Sequence, residues 1–157
     1  MQKDEELLVA LRKVIRAIDL RSKQLSKDVG LTGPQLLVMQ NIGKKPGIMV
    51  RQVADNINLS PATVTSILDR LESKALVQRV RSTEDKRKVG LFLTESGTTI
   101  LLDAPLPFQE HFTNRFAQLK EWEQSQMVAT LQRIASMMDA EDIDAAPVLE
   151  VGSIADK

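Results

Sequence analysis

Apolar residues recur at three- and four-residue intervals through residues 4–28, at Leu7, Leu8, Leu11, Val14, Ile15, Ile18 and Leu25. That spacing predicts an amphipathic helix, with Arg12, Lys13, Arg16 and Lys23 among its polar positions and Gly30 as its stop. Thr32 and Gln35 have capping-box spacing and open a second helix carrying Leu36, Leu37, Met39, Gln40 and Ile42. It ends in the turn GKKPG, residues 43–47. A short helix over 48–58 follows, burying Val50, Val53, Ala54 and Ile57. Asn58-Leu59-Ser60-Pro61 is then a tight connection, with Ser60 a favoured N-cap and Pro61 a favoured first helical residue. The helix over 61–74 has a narrow apolar stripe of Val64, Ile67, Leu68 and Leu71. Its other face holds Ala62, Thr63, Thr65, Ser66, Asp69, Arg70 and Ser73.

At Leu76 the period changes. Residues 76–81 and 89–94 alternate as strands around the polar loop STEDKRK, residues 82–88, which predicts a β-hairpin with a long basic tip. Thr94 or Ser96 opens a further helix whose apolar positions run through Ile100, Leu101, Leu102, Leu106, Phe108, Phe112, Phe116 and Leu119. Pro105 and Pro107 interrupt that pattern, so a kink or break is expected near 103–107. A last helix over 121–139 carries Trp122, Met127, Val128, Leu131, Ile134, Ala135 and Met138. Helical spacing assigns Trp122 and the Phe residues to the core. Residues 140–157 are acidic and weakly patterned and are expected to form a flexible tail. Residues 1–139 are expected to form a single domain.

These elements make a mainly α protein with a small β-hairpin wing. Two short helices joined by a tight turn and followed by a basic-tipped hairpin form a winged helix-turn-helix plan. The second of those helices fits a DNA major groove. Ala62, Thr63, Thr65 and Ser66 are small enough for close backbone approach and carry hydroxyls and methyls for base edges or phosphates. Arg70 can donate to phosphate or guanine, and the helix start at Ser60 offers free N–H groups to a phosphate. The same face also suits an ordinary solvated helix. The hairpin favours DNA: Lys86, Arg87 and Lys88 cluster at its tip with Arg79 and Arg81 nearby. Arg87 can enter a narrow minor groove, with Asp85 orienting it.

The formal net charge is zero, with 21 basic and 21 acidic residues, which by itself argues against nucleic acid. Counted by segment, residues 1–30 carry +2, residues 31–90 carry +5 and residues 91–157 carry −7. The basic middle is the predicted wing and helix pair, and the acidic end balances it. Cysteine is absent, which removes thiol redox sensing and cysteine-ligated metals. One His leaves no metal cluster, and no cofactor is expected. The chain has no apolar run long enough for a membrane span, and MQKDEELL is too polar for a secretory signal, so a cytoplasmic location is expected. No phosphate loop, nucleophile motif or carboxylate pair near a His supports an enzyme. The four Phe and one Trp lie outside the basic region, so no stacking platform for RNA is visible.

The stretch VADNINLSPATVTSILDRLESKALVQRVRSTEDKRKVGLFLTESG, residues 53–97, resembles the multiple-antibiotic-resistance regulator (MarR) family. The matching parts are the SPATVT helix start, the DRLESKALVQR run and Asp85-x-Arg87 followed by Leu91-x-Leu93-Thr94-x-x-Gly97. The order of elements extends the resemblance over about residues 4–139. It implies a homodimer on palindromic double-stranded operator DNA, often released by a small ligand. It puts Ser60, Thr63, Thr65, Ser66 and Arg70 in the major groove, and Arg87, supported by Asp85, in the minor groove. Ala75 departs from the pattern, since many relatives have Gly there; Pro105, Pro107 and the acidic tail depart too. RAIDLRSKQLSKDVGLTGPQLLVMQ, EHFTNRFAQLKEWEQ and MDAEDIDAAPVL resemble the regulators of ectoine and other compatible-solute operons.

The first helix and the last two have more apolar positions than one small lobe can cover. Dimerisation through residues 4–28 and 96–139, with the DNA-binding lobe at 32–94, is therefore expected. Arg16 and His111 are candidates for an anionic effector, although His111 reads first as a surface or packing residue. A small molecule or ionic strength itself are both open as effectors. The functional reading is a transcriptional regulator, most simply a repressor. The alternative is a protein–protein adaptor that kept the fold and lost operator binding.

Overall fold

The computed structural model describes residues 1–103 and 107–150, with backbone only at residues 107 and 108. Seven helices and one hairpin are formed among the described residues: α1 Lys3–Val29, α2 Gly33–Lys44, α3 Val50–Ile57, α4 Pro61–Ser73, β1 Val77–Arg81, β2 Val89–Leu93, α5 Glu95–Asp103, α6 Pro107–Ala117 and α7 Glu121–Met137. The chain divides into two compact units. One holds residues 1–103 together with 146–150, and the other holds residues 107–145.

In the first unit, side-chain caps set where helices begin. Thr32 Oγ1 accepts from Gln35 N at 3.3 Å, and Gln35 Oε1 accepts from Thr32 N at 3.1 Å. Two otherwise orphaned donors are thereby satisfied at the start of α2. Helices α2, α3 and α4 pack around Leu36, Val38, Met39, Ile42, Val53, Ile57, Val64, Ile67, Leu68 and Leu71, all almost fully buried, and β2 adds Leu91. Each such side chain contributes about 1.5–3 kcal/mol on burial. Strands β1 and β2 pair antiparallel, with Val77 opposite Leu93 and Arg81 opposite Val89.

Ile48 departs from the expected helix over 48–58. It bridges Leu91 instead: Gly47 N donates to Leu91 O at 2.8 Å and Leu91 N to Ile48 O at 2.9 Å. Gly47 turns the chain into this pairing at φ 87°, a conformation open to glycine. A two-stranded ribbon is marginal alone, so this third segment ties the wing to the core.

Helix α4 ends through Ala75, which sits at φ 57° so that Leu76 N can bond to Leu71 O at 3.0 Å. The departure at residue 75 noted in the sequence thus places a Cβ in left-handed backbone, which costs about 1–2 kcal/mol. Ala75→Gly removes that strain but frees the unfolded chain. A net gain of about 0.5 kcal/mol is expected, read as a higher urea midpoint. An unchanged or lower midpoint would show that the turn carries no strain.

The break expected near 103–107 lies between α5, ending at Asp103, and α6, starting at Pro107; residues 104–106 are outside the described residues. Part of the segment expected as a loose tail returns to the first unit. Gly33 N donates to Glu150 Oε1 at 3.1 Å, and Val148 packs against Gly33. Residues 151–157 lie outside the described residues.

Helices α1 and α7 bury no residue at all. Leu8 is 62% exposed, Ile15 50%, Leu131 59% and Trp122 64%. Assigning Trp122 and Phe112 to this chain's core is therefore corrected, since both are exposed; Phe92 and Phe116 are half-buried, Phe112 and Phe116 stack with centroids 6.5 Å apart, and the Phe108 side chain lies outside the described residues. Spacing alone finds the apolar face but does not say what covers it. Among the described residues, no helix is long and apolar enough to cross a membrane.

Candidate nucleic-acid interface

Helix α4 presents its polar face outward because its apolar stripe faces α2 and α3. Ala62, Thr65, Ser66, Asp69 and Arg70 are exposed, and Thr63 is half-buried. Ser60 Oγ accepts from Thr63 N at 3.1 Å and lies 2.8 Å from Thr63 Oγ1. Ser60 and Thr63 thus form the helix cap, and the two hydroxyls are engaged with each other. Pro61 fills the first helical position, where a missing N–H costs nothing. The outcome is a firmly started helix with small, exposed side chains in its first two turns.

The wing tip is held by its own short side chains. Ser82 Oγ accepts from Glu84 N at 3.2 Å and Asp85 N at 3.3 Å. Ser82 N donates to Lys88 O at 2.8 Å, and Lys88 N donates to Asp85 O at 2.9 Å. Asp85 Oδ1 accepts from Arg87 N at 3.1 Å and from Arg87 Nε at 3.4 Å. The carboxylate expected beside Arg87 is there, and it fixes both the turn and the direction of the guanidinium. Lys86, Arg87 and Lys88 are exposed, with the Arg87 side chain 93% open. Among the described residues, neither Arg70, Lys86 nor Lys88 forms an ion pair.

Arg79 behaves differently. The sequence puts it near the basic tip of the hairpin; in the structure its Nη2 donates to Asp69 Oδ1 at 2.6 Å and to Thr65 O at 3.3 Å, and its Nε lies 4.0 Å from Glu72 Oε2. It is engaged with α4 instead of solvent. No sequence spacing between residues 69 and 79 announces this pair, because the packing of β1 beside α4 creates it.

The candidate effector residues belong to different units. Arg16 is exposed on α1, where its Nη1 lies 2.9 Å from Asp19 Oδ2. The Lys23 ammonium hydrogen-bonded to Asp19, with Arg16 adding its charge, holds the Asp19 carboxyl below its ordinary value. His111 is exposed on α6, in the other unit. Among the described residues, no group of three or more His, Cys, Asp or Glu could hold a metal ion.

Comparison with known proteins follows the same elements. The MarR family model matches residues 31–89, from the start of α2 to the beginning of β2. The chain is 32% identical to the transcriptional regulator HosA of Escherichia coli O111:H- over 110 residues, covering 70% of this chain and 79% of HosA. It is 29% identical over 92 residues to the HTH-type transcriptional repressor MdtR of Bacillus subtilis, covering 59% of each chain. Two of the curated relatives it matches are spanned over only 59% and 48% of their length. The fold is also that of the Staphylococcus aureus MepR–DNA complex, with a TM-score of 0.61 at 24% identity over 82% of this chain and 96% of that one. The family match and the likeness to HosA agree, and this chain belongs to the MarR family.

Proposed function

We propose that the protein is a homodimeric, sequence-specific binder of double-stranded DNA that regulates transcription, acting as a repressor at palindromic operators. The observation that carries this reading is one lobe bearing both a small-residue polar helix face, from Ala62 to Arg70, and a rigid wing tip of three exposed cations. The helix face suits base edges, and the cations suit phosphate and a narrow groove. Ser60 and Thr63 act chiefly as the helix cap, with Ser60 Oγ already occupying the Thr63 N–H, so that they fix where the small-residue face begins. The exposed apolar faces of α1 and α7 support dimerisation, which spaces two recognition helices one DNA turn apart. Resemblance of three stretches to compatible-solute regulators supports osmotic-stress genes as targets. An affinity built on phosphate contacts falls with ionic strength even without a ligand. Arg16 and His111, each in its own unit, are separate candidates for contact with an anionic effector, and the protein works in the cytoplasm without a cofactor.

Titration of duplex DNA from the protein's own upstream region tests this. A site is expected that binds at least about a thousandfold tighter than random duplex, with affinity falling steeply between low and physiological salt. Sedimentation at micromolar concentration is expected to give twice the 17.5 kDa chain mass. Binding equal on all duplexes would overturn the sequence-specific reading. A lone 17.5 kDa species would overturn the dimer.

A further inference from the structure

We propose that Arg79 is a positioning residue that clamps the wing to the recognition helix, so that both DNA-facing elements dock as one rigid piece; this rests on the DNA-binding reading above. Arg79 is on β1, and its guanidinium reaches three points along α4: Thr65 O at 3.3 Å, Asp69 Oδ1 at 2.6 Å and Glu72 Oε2 at 4.0 Å. Those points span two helical turns, so the contact fixes the helix against rotation as well as translation. A planar fork with several donors can bridge a carboxylate and a backbone carbonyl at once, and an ammonium on the same stem cannot hold that geometry. The side chain is 28% exposed, against 93% for Arg87. Arg79 therefore positions the elements, and Arg87 meets the ligand.

The clamp has an electrostatic part too. Asp69 and Glu72 put two exposed carboxylates on the recognition helix, and their charge would repel phosphates approaching that helix. Arg79 compensates them from the protein side. Removing Arg79 loosens the wing and uncovers the carboxylates. Removing Asp69 as well should undo part of the second effect, since Glu72 remains, and leave the first.

The test compares Arg79→Lys, Arg79→Ala and Arg79→Ala with Asp69→Ala, on a specific and a random duplex across a salt series. Arg79→Lys keeps the charge and is expected to lower specific affinity about tenfold while leaving random-duplex affinity unchanged. The slope of affinity against salt should stay at the wild-type value, because Arg79 holds no phosphate. The double variant should recover part of the Arg79→Ala loss. A salt slope reduced by about 0.9 for each wing, with all duplexes weakened alike, would make Arg79 a phosphate contact and overturn the clamp. So would a specific-to-random ratio equal to wild type. Hydrogen exchange without DNA gives a second readout. Arg79→Lys should speed exchange in β1 and β2 at an unchanged melting midpoint, and unchanged exchange overturns the clamp whether or not DNA binds. If wild-type protein binds no duplex while exchange responds as expected, the DNA reading fails and the clamp stands.

Discussion

Arg87→Ala should weaken binding to every duplex by about thirtyfold, taking a loss of roughly 1 kcal/mol at each of the two wings of the proposed dimer. The loss should be uniform across sequences if, as proposed, the wing positions the protein and α4 does the reading. It should also flatten the salt dependence by about 1.8, if each Arg87 neutralises one phosphate. Folding should be untouched, since the side chain is 93% exposed and its Asp85 pair is a surface contact. The loss has a second source, because the variant leaves the Asp85 carboxylate uncompensated at a tip built to be cationic. Asp85→Asn combined with Arg87→Ala is the control that separates charge from geometry. Affinity and salt slope both equal to wild type would remove the wing from the interface.

Gly97→Ala should cost about 3 kcal/mol of stability, at the upper end of overpacking effects. Gly97 is buried at the start of α5, and a Cβ there would overlap the backbone oxygen of Leu76. That oxygen is already held by Thr94 N at 3.0 Å. Thr94 Oγ1 in turn accepts from Gly97 N at 3.0 Å and donates to Ala75 O at 2.7 Å. Four residues thus form one joint between the end of α4, the wing and α5. Backbone packed against backbone cannot swing aside as a flexible side chain would. Alanine gains about 1 kcal/mol in helix propensity over glycine, which the clash outweighs. The urea midpoint should fall at unchanged m, with the melting point lower by about 10 °C. A midpoint at or above wild type would show that α5 shifts without cost.

Local chemistry was readable in the sequence, and tertiary pairing was not. Thr32 with Gln35, and Ser60 with Pro61, announced two helix starts because a cap acts within a few residues of itself. Asp85 beside Arg87 was readable for the same reason. Ile48 was misplaced in a helix because a single bridge to a strand more than forty residues away leaves no periodic trace. Arg79 looked like any wing cation until β1 lay next to α4. Trp122 was assigned to the core since the 3.6-residue period marks a face as apolar without saying whether the same chain covers it.

The hydrogen bond from Gly33 to Glu150 makes the first unit discontinuous along the chain. Everything from α6 through α7 is inserted between the lobe and the residue that seats on the opening turn of α2. During synthesis, that turn receives its carboxylate only after a further 117 residues have been added. Trimming the chain after α7 would remove one of the contacts at the start of α2, so a fragment meant to keep that contact has to include residue 150.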